Sequence, residues 1–465
     1  MHAGDARHAR SESAVSSFNT PPHVPEIESL HDSASRPAVF IQWQADAKFF
    51  LSTERALLQS STSRLMLQHF LHVTCIQLAA KPLRSNPFLT HVMPIACCDD
   101  LLMHAVLALS GSHIGFQNSG SPDIRKQTEQ HYSFVISSLR HEFSHLSSLH
   151  RAKNLRLLLV LMVLCHVEVG KVTPRHDKHS LSLTKIVSDV CEGAMFAHLR
   201  ASRFLILKLR QQPDVSETAE DREIRGFVLE VYAYLVSVAH ITPYGTLGSS
   251  TLPVDDFVTS LGPLHEFNVF GSLLGCGSAL FEKIPLIAQL YRQRLEERST
   301  GQTGHDSLAR CNELLASLKA WKSPPLMPDM AGFQADHDST GEMYRQALLI
   351  YLELAIHGSP VVHPKLIYQI QNHIDTILSL RSNMASSPYE SVLMWPAMMV
   401  GSCLIKEDQR QYTLNEWLVL HCRMNHFKQA ITLLKLLWED EDEAAYGPLG
   451  LHLMMHKHSI KLCMA

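Results

Sequence analysis

Apolar positions along this chain recur at intervals of three and four, in block after block, and almost never alternate. In Glu390–Leu404 (ESVLMWPAMMVGSCL) and Phe427–Glu443 (FKQAITLLKLLWEDEDE) they follow the 3.6-residue period of a helix. The same periodicity predicts helices near residues 61–80, 99–117, 124–148, 153–168, 192–211, 221–242, 272–297, 306–321, 340–357, 364–382, 390–405, 411–424 and 427–439. Strand-like stretches are nearly absent. Pro and Gly clusters such as KPLRSNPFLT, ITPYGTLGSS, TSLGPLHEF and WKSPPLMPDMAGF punctuate these segments and read as inter-helix loops.

Residues 1–40 are rich in Ser, Pro, His and charge and carry no apolar period, which predicts a disordered tail. Residues 170–190 and 299–306 read as loops or insertions without packing of their own. With no repeat of fixed period, the pattern is a helical bundle or array rather than a solenoid. The predicted fold class is therefore all-α: a single large helical domain over residues 41–465 behind the tail.

Composition narrows this picture. A chain of 465 residues buries roughly three quarters of the surface its unfolded form exposes, so a large core is available. With 46% apolar residues, 18% charged residues and a formal net charge of -4, the chain is globular and too weakly basic to hold DNA by bulk charge. Its 10 cysteines include no CxxC pair; adjacent Cys97 and Cys98 make no zinc half-site, and the set reads as reduced thiols of an intracellular protein. The N-terminus holds no secretory apolar run. The most apolar stretch, Leu157–Cys165, is far shorter than the roughly twenty residues of a membrane span, so no membrane segment is expected.

One motif suggests chemistry. His141-Glu142-x-x-His145 places two imidazoles on one helix face beside a carboxylate, the arrangement of zinc peptidases. Yet a chain with 29 His throws up this spacing by chance at a rate of roughly 0.1 per sequence. Catalytic zinc also needs a third protein ligand. The extended pattern would require Gly and His where Ser148 and Arg151 stand, which leaves Glu168 as the available third ligand, just after the apolar run. Arg140, Ser147 and Ser148 around the motif point to a solvated helix face instead, so no metal, catalytic or cofactor-binding residue is assigned. Arg200, Arg203, Lys208 and Arg210 form a basic stripe that reads as a solvated face, since no aromatic interleaving marks it for nucleic acid. GCGSALFEK, Gly275–Lys283, follows no strand and reads as core packing rather than a phosphate loop.

Several segments together resemble one family. LMLQHFLHVTCIQLAAKPLRSNPFLTHVMPIACCDDLLMHAVLALSGSHIG, Leu65–Gly115, has an aromatic helix ending in an Asn-Pro-Phe loop, then Pro94, then a Leu-Leu-x-His-Ala-x-x-Ala-x-Ser-x-x-His helix. Further matches follow in order: HYSFVISSLRHEFS, AMFAHLRASRFLI, FVLEVYAYLVSVAHIT, GSLLGCGSALFEKIPLIAQL, YRQALLIYLELAIHG and LMWPAMMVGSCLIKEDQRQYTLNEWL with FKQAITLLKLLWE. Residues 60–440 so resemble the fungal-specific transcription factor domain, the regulatory domain of fungal zinc-cluster regulators. The resemblance puts HEFSH on an ordinary helix with no metal site. It implies a non-enzymatic, nuclear regulator of a metabolic or secondary-metabolite gene set, acting as a homodimer or heterodimer with a DNA-binding regulator and open to a small-molecule effector. It implies no cofactor.

Two departures qualify the likeness. No cysteine precedes Cys75, so the six-cysteine cluster typical of such regulators is not in this sequence, and DNA is reached indirectly or through a cluster lying upstream. GKVTPRHDKHSLSLTKIVSDVCE interrupts the point where the family runs from LCHVEVG to GAMFAHLRAS, as an insertion or a retained intron would. The rival readings are a zinc hydrolase using His141, Glu142 and His145, and a plain helical scaffold.

Overall fold

A computed structural model describes residues 56–82, 85–117, 121–144, 151–170, 194–211, 217–244, 254–301, 304–326, 328–358, 365–384, 387–418, 425–460 and 462. The expected tail over 1–40 and the insertion inside 171–193 lie outside these residues. Among the described residues there is no strand, and the all-α expectation is borne out.

Helix α1 (Ser61–His69) continues through a π turn, Phe70–Thr74, into a 3₁₀ turn, Cys75–Leu78. A second π turn, Phe88–Val92, leads into α2 (Met93–Cys98). Then come α3 (Asp100–Gln117), α4 (Pro122–Ser144), α5 (Arg151–Gly170), α6 (Ala194–Arg210) and α7 (Ala219–Val238). Short turns over Asp256–Thr259 and Gly262–Glu266 and a one-turn helix, Ser278–Phe281, precede α8 (Lys283–Thr300) and α9 (His305–Ala320). The chain closes with α10 (Gln334–His357), α11 (Lys365–Arg381), α12 (Met394–Ser402), α13 (Glu407–Tyr412), α14 (Asn425–Glu439) and α15 (Gly447–Lys457).

Sequence decides which helices go inside. Helices apolar on every side must be interior. In α5 no residue from Leu157 to Cys165 is more than 3% exposed, and every residue of α12 is buried. Outer helices bury one stripe, as α11 does with Leu366, Ile370, Ile374 and Ile377. Each such leucine or isoleucine contributes about 1.5–3 kcal/mol on burial. Helix α3 packs on α1, α4 and α5, while α5 also meets α6 and α7. Helix α10 is the hub of the later part, touching α8, α9, α11 and α12, and α12 meets α14 and α15. Contacts of α14 with α5, and of the Ser278–Phe281 turn with α7, α8 and α10, join the two groups. The buried apolar residues consequently form one cluster from Leu58 to Leu462.

Three expectations are corrected. NPFLT, read as a loop, is part of the helical run Phe88–Cys98: the widened π turn falls just before Pro94, where an ordinary turn would lack a donor and meet the proline ring. The helix expected from residue 272 begins only at Ser278, because Gly271 has φ 92° and the following amides bond a buried carboxylate rather than a helical carbonyl. Finally, the helices expected to end at residue 439 are followed by one more, Gly447–Lys457. Pro448 stands in the first turn, where its missing N–H costs nothing. Gly447 has φ 65°, and a Cβ there would lie 2.8 Å from Leu354.

Candidate functional site

The strongest chemical motif lies on the last turns of α4. His141 faces solvent, and Glu142 is half-buried against the start of α5. Glu142 accepts from Lys153 at 2.5 Å and from Arg156 at 3.3 Å, and Arg156 also pairs with Asp99 at 2.9 Å. The Lys153 ammonium and the Arg156 guanidinium together hold the Glu142 carboxyl below the ordinary glutamate range. Such a carboxylate is a helix-to-helix fastener and a poor general base. Glu168, the third candidate, sits twelve residues beyond Arg156 on α5, about 18 Å along the helix axis. It is not brought to Glu142. His145 lies outside the described residues, and among those residues no group of three His, Cys, Asp or Glu is placed to hold a metal.

The basic stripe on α6 is only partly solvated. Arg203 donates to both Asp255 oxygens, at 2.7 and 2.6 Å, and the Arg210 guanidinium lies 5.2 Å from the centre of the Phe257 ring. Arg200 is exposed. The expectation that no aromatic interleaves the stripe is corrected: Phe204, one turn beyond Arg200, is 54% exposed. Two of the four cations are thus tied within the fold, which leaves no continuous basic track for a nucleic-acid backbone.

GCGSALFEK behaves as core, with Cys276, Leu280 and Phe281 buried and Gly277 against Leu280 and Trp321. Burial pushes the thiols of Cys75, Cys276 and Cys403 up to about 12, so they are inert rather than nucleophilic. No disulfide occurs among the described cysteines. No helix of the described residues is long and apolar enough to cross a membrane.

With Glu142 engaged by Lys153 and Arg156 and Glu168 held apart from it, the comparison with known families becomes decisive. A family model described as the fungal specific transcription factor domain matches residues 64–463. The chain belongs to that family. No curated protein and no solved structure matches it.

Within this transcription factor domain, the polar groups that sequence reasoning missed lie in the core. Glu230 of α7 is fully buried and accepts the amides of Leu273 and Leu274 at 2.8 and 2.9 Å. Burial raises its pKa against the opposing pull of those amides and of nearby Lys81, itself buried. Ser272 in the same loop accepts the amide of Ala80 at 2.7 Å, so one carboxylate fastens α7, the loop before α8 and the chain after α1. A second buried set links α1, α3 and α4. His131 bonds Ser63 at 3.2 Å and His104 at 2.8 Å, and burial with the neighbouring His104 lowers its pKa to about 4. A Glu in an otherwise apolar helix, VLEVYAYLV, was the available signal for the first. An open depression of about 640 Å³ lies at the surface beside Ser323–Leu326 and the start of α10, away from the core.

Proposed function

We propose that this chain is a nuclear, non-enzymatic regulator of transcription in a fungus, controlling a metabolic or secondary-metabolite gene set through its helical domain. One observation carries the reading: the fungal-specific transcription factor domain extends over residues 64–463, coincident with the continuous helical core. The engagement of Glu142 by Lys153 and Arg156, and the separation of Glu168 from it, support the non-catalytic part. DNA is reached through a DNA-binding partner, as homodimer or heterodimer. Supporting this are the net charge of -4 and the internal engagement of Arg203 and Arg210. A small-molecule effector acts by binding one arrangement of the helices better than another.

Chromatin immunoprecipitation of the tagged chain, paired with transcript profiling of a deletion strain, tests the role. Occupancy at promoters of one co-regulated gene set is expected. An unchanged transcriptome with cytoplasmic retention would refute the regulator reading. A mobility-shift assay on those promoters tests the mechanism: the purified chain alone leaves the DNA unshifted, and a retarded band from it alone would remove the need for a partner.

A further inference from the structure

Proline fixes its own φ and drives the residue before it out of the helical region, so a Ser-Pro or Thr-Pro step favours extended chain. A kinase that reads such a step needs it extended and reachable. The described residues hold four: Ser121-Pro122, Thr242-Pro243, Ser323-Pro324 and Ser387-Pro388. Thr242 is fully buried, and Ser387 is buried with its Oγ accepting the Tyr389 amide at 3.3 Å. Ser121 opens α4: its carbonyl accepts the Arg125 amide at 3.3 Å and Pro122 is the first helical residue, so extending it would unwind that turn. Ser323 differs from all three. It follows α9, lies between exposed Lys322 and half-buried Pro324, and lines the open depression.

The backbone there is already extended. Trp321 leaves α9 with φ −59° and ψ 139°, and residues 321–326 form no helix. Pro324 and Pro325 each hold the residue before them to extended ψ. The stretch is tied to α10 by polar groups. Ser323 Oγ donates to Asp338 Oδ1 at 2.6 Å, and Gln334 Nε2 donates to the two oxygens of Asp338 at 3.1 and 3.0 Å. The Pro324 carbonyl lies 3.1 Å from His337 Nε2, whose Nδ1 is 2.8 Å from the Tyr389 hydroxyl. Asp338 is exposed, so water competes for this tie and local opening frees the Ser323 hydroxyl.

We infer that Ser323 is a phosphorylation site for a proline-directed serine/threonine kinase, and that its phosphate releases the stretch from α10. The kinase transfers the γ-phosphoryl group of a nucleoside triphosphate. A bond forms from Ser323 Oγ to that phosphorus, the bond from phosphorus to the β–γ bridging oxygen breaks, the nucleoside diphosphate leaves, and the hydroxyl proton passes to a carboxylate of the kinase. The donor that now bonds Asp338 is thereby lost, and a group of about −1.5 to −2 charge stands against a carboxylate. The start of α10, Gln334–Asp338, carries Asp336 and Asp338 and no Lys or Arg to receive it. Asp338 also lies beyond the first turn, whose free amides would attract a phosphate. The charge is therefore repelled rather than captured. This holds for the folded domain whichever genes it serves.

The test treats the full chain with ATP and a purified proline-directed kinase chosen for activity on a free peptide copying residues 317–326. The sites are mapped by tandem mass spectrometry, and hydrogen exchange compares modified with unmodified chain. Phosphate on Ser323 is expected, lost in Ser323→Ala and in Pro324→Ala, with Ser121, Thr242 and Ser387 unmodified. In the phosphorylated chain a peptide over residues 321–326 exchanges faster, while α5 and α12 keep their protection. Asp338→Asn changes an exposed side chain and removes the repelling charge, so phosphorylation there gives a smaller gain in exchange. The inference is overturned when no kinase of the class modifies the free peptide, or when the folded chain stays unmodified at Ser323 although the peptide is modified. It is equally overturned when phosphorylation leaves exchange of residues 321–326 unchanged, or when Asp338→Asn leaves the gain as large.

Discussion

Glu230 gives the sharpest mechanical prediction. Its Oε1 is the acceptor for two buried amides, Leu273 and Leu274, whose donors have no route to water. Glu230→Ala strips both of their acceptor, at ~1–3 kcal/mol each, and leaves a cavity besides, so a loss of about 3–6 kcal/mol is expected. Glu230→Gln keeps an oxygen in the same place and an uncharged side chain of the same size, so its cost should stay near ~1 kcal/mol. Protonation adds a second signature. Burial raises the folded carboxyl above the ordinary value of about 4.3, so on this account the folded chain holds a proton the unfolded one has released. The stability contributed is present below about pH 4.3 and is lost as pH rises through the folded pKa. Gln, which does not titrate, should therefore gain on the natural residue as pH rises across that window. Urea unfolding followed by far-UV circular dichroism at several pH values measures both, and hydrogen exchange of a peptide spanning residues 269–277 reports the amides directly. Equal losses for Ala and Gln, or undiminished protection of that peptide in the Ala variant, would refute the acceptor argument.

Other outcomes follow from equally local geometry. Burial holds His166 neutral down to about pH 4, and burial with His104 does so for His131; in the unfolded chain both protonate near 6.5. Below about 6.5 the unfolded state then binds more protons, so stability is full above that pH and falls by up to roughly 3 kcal/mol per histidine toward pH 4, opposite in sign to Glu230. His166→Leu should flatten the fall in melting temperature across that range, and an unchanged slope contradicts the assignment. Gly341→Ala would set a Cβ 2.8 Å from the Cys276 carbonyl and 2.6 Å from Trp321, so a loss of ~1–3 kcal/mol in chemical denaturation is expected, and none would show that this contact is slack. Plasma mass spectrometry of the purified chain should find no stoichiometric zinc; one zinc per chain, lost on His145→Ala, would restore the peptidase reading.

Much of the fold was written in local pattern. The runs LRLLLVLMVLC and LMWPAMMVGSC are apolar on all sides, and both are interior. The places where the reading slipped share a cause: backbone geometry decided by a partner far along the chain. Nothing in VFGSLLGCGSALFEK says that the helix must wait until Ser278, because the group that takes its amides is Glu230, more than forty residues earlier. Likewise the helix after Gly447 was not expected, and it is Leu354 and the φ of 65° that show why glycine stands there.

The same logic separates motif from site. His141-Glu142-x-x-His145 is a spacing, and spacing fixes only which helix face a side chain shares. What Glu142 does was decided by Lys153 and Arg156, which the turn into α5 brings back against it. For the α6 stripe the deciding partner was Asp255, 52 residues beyond Arg203. Here the buried Glu230 carboxylate fastens α7 to the loop before α8, and the His131 imidazole fastens α4 to α1 and α3.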